Sequence, residues 1–115
     1  MELTVWVDGW QLQCCGEPFA VGSRVSWTLA PAPREGAAVL LGDTVTVDGA
    51  EEHHGGVPDD APVTAGTVTG ISAATRPLSG SGEAAGPLAI QRVPRADGRE
   101  RAGEFLAGYL VRLRT

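Results

Sequence analysis

Apolar and polar residues alternate along this chain in short runs, and glycine or proline breaks each run. In Leu3-Thr4-Val5-Trp6-Val7, Leu3, Val5 and Val7 fall on one side and Thr4 and Trp6 on the other, which is the period of a strand. Arg24 to Leu29 repeats the pattern, with Val25, Trp27 and Leu29 on one face. Thr44 to Val47 is rich in β-branched residues and predicts a third strand reaching toward Glu52. Gly66 to Ser72 predicts a fourth, where Val68 and Ile71 break strict alternation and Gly70 marks a bulge. Leu88 to Val93 predicts a fifth. Residues 105–113 close the chain, with Tyr109, Val111 and Leu113 alternating.

Between these runs stand most of the 16 glycines and 8 prolines, and proline cannot donate to a ladder. Strands this short, with no room for alternating helices, exclude a doubly wound parallel sheet. They predict an all-β fold with at most a minor helix: a small antiparallel curved sheet or barrel, SH3-like or OB-like. The minor helix falls on residues 35–42, and Trp10 to Gly16 reads as an irregular extended stretch. The expected core is Val5, Val25, Trp27, Leu29, Val45, Val68, Ile71, Leu110 and Leu113. All 115 residues fit one domain, with loops at about 55–63, 78–87 and 94–103 on the turn chemistry of those segments.

Charge narrows the function. The net charge is -5, a poor starting point for phosphate neutralisation, which argues against nucleic acid. Residues 1–63 hold ten acids and two arginines, while residues 90–115 hold six arginines and three acids. The plainer reading of that asymmetry is a basic C-terminal segment lying on an acidic body. The sharper one is a partner-binding patch formed by Arg92, Arg95, Arg99 and Arg101. All nine basic residues are arginine, as codon bias in a GC-rich genome would produce. No apolar run approaches the roughly 20 residues of a membrane span, and Met1-Glu2-Leu3-Thr4 lacks the basic start of a signal peptide. The expectation is a cytoplasmic protein with reduced thiols.

Two pairs carry what chemistry there is. Cys14-Cys15 and His53-His54 are all the cysteine and all the histidine of the chain, and each follows a predicted strand. Packing of a small cysteine and hydrogen bonding of loop histidines is the plainest account. Zinc held by Cys14, Cys15, His53 and His54, completed by an acid such as Glu51 or Glu52, is the second. Adjacent residues of a strand point to opposite faces, and the spacing matches no zinc finger or ribbon. A cysteine–histidine catalytic pair is the third, and a vicinal disulfide acting in redox sensing the fourth. Trp6, opposite Leu3, Val5 and Val7, is a candidate ligand-facing ring, with Trp10, Glu51 and Glu52 beside it.

The stretch Trp10-Gln11-Leu12-Gln13-Cys14-Cys15-Gly16-Glu17-Pro18-Phe19 resembles the signature of a family of small, functionally uncharacterised actinomycete proteins. Glu51-Glu52-His53-His54-Gly55 and Gly108-Tyr109-Leu110-Val111 are similar to it too. The resemblance implies no activity and no site residues. The function expected from the residues is therefore a noncatalytic protein- or ligand-binding module without a cofactor. The alternatives are a zinc-stabilised domain and a small cysteine-dependent enzyme. Both place the two pairs at one end of the barrel.

Overall fold

The computed structural model describes residues 1–14, 16–31, 47–52, 60–84 and 86–115. The predicted helix at 35–42, Thr44, Val45 and Thr46 of the third strand, Cys15, His53, His54 and most of the 55–63 loop lie outside the described residues.

Among the described residues, eight strands and one short helix follow each other: β1 (Glu2–Asp8), α1 (Gly9–Cys14), β2 (Phe19–Ala20), β3 (Arg24–Ala30), β4 (Gly49–Glu51), β5 (Val63–Pro77), β6 (Ala89–Arg92), β7 (Arg95–Ala96) and β8 (Glu104–Arg114). Five of them close into a mixed barrel in the order β3-β4-β1-β8-β5, with β5 returning to β3. The expected small β-barrel with a minor helix is therefore present. Its pairing departs from the antiparallel expectation at one place, since β1 and β4 run parallel with Val5 opposite Gly49.

Closure depends on β5. Over 15 residues it pairs through its first part with β3, Trp27 opposite Thr64, and along most of its length with β8, Ile71 opposite Val111. One edge of β5 meets β3 and then β6 while the other edge follows β8, and a register shift between Val68 and Gly70 bends the strand between those two partners. The bulge is legible in the sequence at Gly70. At Gly66 the strand passes so close to β8 that a Cβ would stand 2.8 Å from the Arg114 carbonyl oxygen and 2.8 Å from Leu113 Cγ.

The interior is filled by the inward faces of β1, β5 and β8. Val5, Val68, Ile71, Val111 and Leu113 are buried, and Val7, Leu12, Phe19, Leu106 and Tyr109 join them. Val25, Trp27 and Leu29 point inward as expected but are half-buried, because β3 borders an opening. Leu110 is not in this core. It sits one residue from Val111 on a strand whose side chains alternate, so it faces outward and packs with Trp6, Ala50, Leu88 and Ala107 over Ala74.

Two local expectations change. Trp10 to Cys14 is helical, not extended, since Gln and Leu favour helix and Leu12 reaches the core from it. The 94–103 segment contains β7, whose Ala96 pairs with Phe19. The chain ends are neighbours: the Thr115 amide donates to the Met1 carbonyl at 2.9 Å.

Candidate functional site

The Gln11-x-Gln13 pattern of α1 has a structural cause. Gln11, 2% exposed, donates from Nε2 to Oε2 of Glu52 at 3.2 Å. Gln13 donates from Nε2 to the Gly98 carbonyl at 2.9 Å and to Glu100 Oε1 at 3.1 Å. Leu12, between them, enters the core. One short helix is thereby tied to the end of β4, to the 97–100 loop and to the barrel interior. It starts tightly under β8, where a Cβ on Gly9 would stand 2.8 Å from the Leu106 carbonyl oxygen. It closes with the Gly16 amide bonded back to the Gln11 carbonyl at 3.0 Å.

Beside this helix opens a cleft of about 430 Å3. Val7, Leu12, Phe19, Val25 and Trp27 form its apolar walls, and Glu17, Ser23, Arg24, Ser26 and Glu51 supply its polar groups. Phe19 and Trp27 meet edge to face with ring centroids 5.1 Å apart, a geometry that stabilises an aromatic pair beyond simple burial. Glu51 is 8% exposed. It occupies the inward position opposite Leu29, so a carboxylate lines the cleft beside the Phe19 and Trp27 rings. Apolar walls and polar groups share the lining, and a concave space of this volume suits a small ligand or a partner's side chain.

The four ligand candidates separate. Glu51 lines the cleft, and Glu52 adjoins it through Gln11. Trp10 projects from α1 at 54% exposure. Trp6 is 3% exposed; its ring lies on the outer face of the barrel, and Nε1 donates to Asp8 Oδ1 at 2.9 Å. Cys14 is exposed at the end of α1 and disulfide-bonded, which departs from the expected reduced thiol. A sulfur in that state is neither a thiolate ligand nor a nucleophile, so either chemistry at Cys14 would begin with reduction. Among the described residues no group of three or more His, Cys, Asp or Glu is placed to hold a metal. Cys15, His53 and His54 lie outside the described residues, but the Gln11–Glu52 bond joins the two segments that lead into the pairs.

Leu12, Phe19 and Arg24 are cleft residues that sequence reasoning did not single out. Phe19 was marked in the sequence only as the last residue of the Trp10–Phe19 stretch, which assigned it no role. Leu12 carried no signal, because its inward direction follows from a helix that the local pattern did not predict.

The fold and cleft define a small closed mixed β-barrel with one helix set against its open end. The chain belongs to DUF6578, a family of unknown function whose model matches residues 1–115. Neither a curated relative nor a solved structure matches it.

Proposed function

We propose that this protein is a noncatalytic binding module that takes an apolar or aromatic group, of a protein partner or a small ligand, into the cleft between α1 and β3. The supporting observation is the cleft itself: aromatic walls from Phe19 and Trp27 next to a buried carboxylate on a rigid barrel. A carboxylate has several lone-pair sites and can accept a ligand's donor in addition to its existing bonds. Helix α1, held at three points, presents a preformed wall, which lowers the ordering cost of binding.

The strand connections support an OB-type over an SH3-type reading. An OB barrel closes in the order 1-2-3-5-4-1, with strands 3 and 5 parallel and a helix between 3 and 4. Here β1, β3, β4, β5 and β8 correspond to strands 3, 4, 5, 1 and 2 of that scheme, α1 falls in the helix position, and β1 and β4 are the parallel pair. The adjacent termini are what a circular permutation of that barrel requires. Such a barrel hosts many functions, so the cleft and not the fold carries the proposal.

The three indoles make the test. In a 15N-labelled sample, titration with phenethylamine should move the Trp27 indole signal saturably and leave the Trp6 signal in place. Toluene should do so more weakly, lacking a donor for Glu51. Saturable movement of Trp6 alone, or no saturable movement of Trp27 with any apolar probe, overturns the proposal.

The zinc reading is the alternative, supported by the Gln11–Glu52 bond between the segments flanking the two pairs. It predicts that reduced protein gains thermal stability with zinc, and that a chelator reverses the gain. A midpoint indifferent to zinc excludes it.

A further inference from the structure

We infer that the outer edge of β6 is a docking strand, to which an extended acidic segment of a partner protein adds as a further strand of the sheet. β6 ends the order β3-β4-β1-β8-β5-β6, and all four of its residues are exposed. One contact fixes which way its backbone groups turn. The Val93 amide donates to the Ile71 carbonyl at 3.0 Å, and Gln91 and Ala89 follow at every second residue, opposite Ala73 and Thr75. Bonded and non-bonded pairs alternate along an antiparallel ladder. The N–H and C=O groups of Ile90 and Arg92 therefore turn away from β5, and among the described residues nothing pairs with them. An edge of this kind is a template for another strand. Pro87 and Pro94 bracket it, so it suits a short segment.

The side chains at that edge define the segment. Ile90 lies opposite Ala74, and Arg92 opposite Ser72, which in turn faces Leu110 across the ladder. Both therefore share the outer face with Trp6, Ala74 and Leu110. Ile90 is 46% exposed. Arg92 makes no ion pair and no side-chain hydrogen bond among the described residues. From Ala61 to Ala96, a stretch that holds all of β5 and β6, there are three arginines and a single acid, Glu83. That acid sits at the turn where its carbonyl accepts the Ser79 amide.

On the outer face, Glu2 and Asp8 stand on β1, three strands or about 14 Å from β6, beyond a screening length of about 8 Å. Asp97, Glu100 and Glu104 line the cleft on the other face, where Arg95, Arg99 and Arg101 match them in number. The charge at the outer edge is thus that of Arg92. Opposite charges across a strand pair stabilise it and like charges destabilise it, which favours an acidic partner over a second copy of the same basic strand. The segment that fits carries an apolar residue for Ile90 and an acid two residues away for Arg92, since that spacing keeps both on one face. Neither Ile90 nor Arg92 lines the α1–β3 cleft, so the two sites stand or fall separately.

The probe is the peptide acetyl-TETVTET-amide. It reads alike in both directions, so with valine on Ile90 an acid meets Arg92 whichever way it lies. In 15N-labelled protein it should shift the amides of Ala89 to Val93 saturably. Exchange at the Ile90 and Arg92 amides should be fast in free protein and slow with peptide, while Gln91 is slow throughout. Lysine in place of glutamate should abolish binding. N-methylation of the valine and the threonine before it blocks both edges of the peptide and should do the same. Arg92→Gln should weaken binding about two- to fivefold, the size of an exposed ion pair. Ile90→Pro removes an outward N–H and no bond to β5, and should weaken it about five- to tenfold. Equal binding of the lysine peptide, undiminished binding of the N-methylated one, shifts confined to other strands, or a dimer of the protein alone that Ile90→Pro dissolves would each overturn the inference.

Discussion

Gly108→Ala should be among the most damaging single-methyl additions to this barrel. Gly108 lies opposite Asp8 in the β1–β8 ladder, and a Cβ there would run into the Val7 carbonyl oxygen and stand 2.5 Å from Trp6 Cζ2 and 2.9 Å from Cη2. The carbonyl cannot retreat without opening the ladder. The indole cannot swing away freely either, since Nε1 is bonded to Asp8 Oδ1 at 2.9 Å and the ring is packed against Ala50, Ala107 and Leu110. Overpacking of a tight site costs about 1–3 kcal/mol, and with backbone as one obstacle the upper half of that range applies. For a domain near this size that lowers the thermal midpoint by roughly 8–15 °C. Thermal circular dichroism measures it, with Gly70→Ala as the control, because a Cβ there meets nothing nearer than Arg112 Cβ at 3.8 Å. Trp6→Leu in the Gly108→Ala background should recover part of the loss. Equal midpoints for Gly108→Ala and Gly70→Ala would refute the close approach of Trp6 to β8.

Burial ranks two leucines: Leu113→Ala should cost about 3–5 kcal/mol and Leu29→Ala about 1–2 kcal/mol by urea denaturation, and a reversed order would contradict the assigned interior. Gln13→Ala, which removes two hydrogen bonds between α1 and the 97–100 loop, should lower stability by about 1–2 kcal/mol and speed hydrogen exchange at Gly98; unchanged exchange there speaks against the tether. Tyr109, the one tyrosine, should titrate above its ordinary 10.0 because burial disfavours the phenolate, even though the Gly98 amide favours it. With the folded pKa raised, the unfolded chain loses its proton first, so stability is intact below 10.0 and falls as pH rises above it. Ultraviolet titration of native protein checks this, and a midpoint at the denatured value would remove the burial argument.

Strand positions were readable because alternation reports a half-buried face directly. Val5, Val68, Ile71 and Leu113 fall in the core for that reason, and the broken alternation at Gly70 reports the bulge. What the sequence hid is set by distant partners. Leu110 looks like a core residue by composition, yet its parity with Val111 sends it outward to Trp6. The parallel β1–β4 pair has no local signature, since it depends on which edge the chain returns to after β3. The helix at Gly9–Cys14 is too short for periodicity to appear. Its stability comes from Gln11, Leu12 and Gln13 reaching three separate parts of the barrel. Of the candidate site, Glu51 and Glu52 were legible as acids at a strand end, while the Phe19–Trp27 pair that walls the cleft needed the fold to bring it together.

The cleft exists only if β3 closes the barrel onto β5 while β4 runs parallel to β1. Cross-strand nuclear Overhauser contacts measure both at once. Contacts of Val25 with Gly66 and of Trp27 with Thr64, together with contacts of Val5 with Gly49, are the predicted pattern. An open sheet with β3 contacts to β4 alone, or antiparallel contacts between β1 and β4, would contradict the barrel and the binding site built on its end.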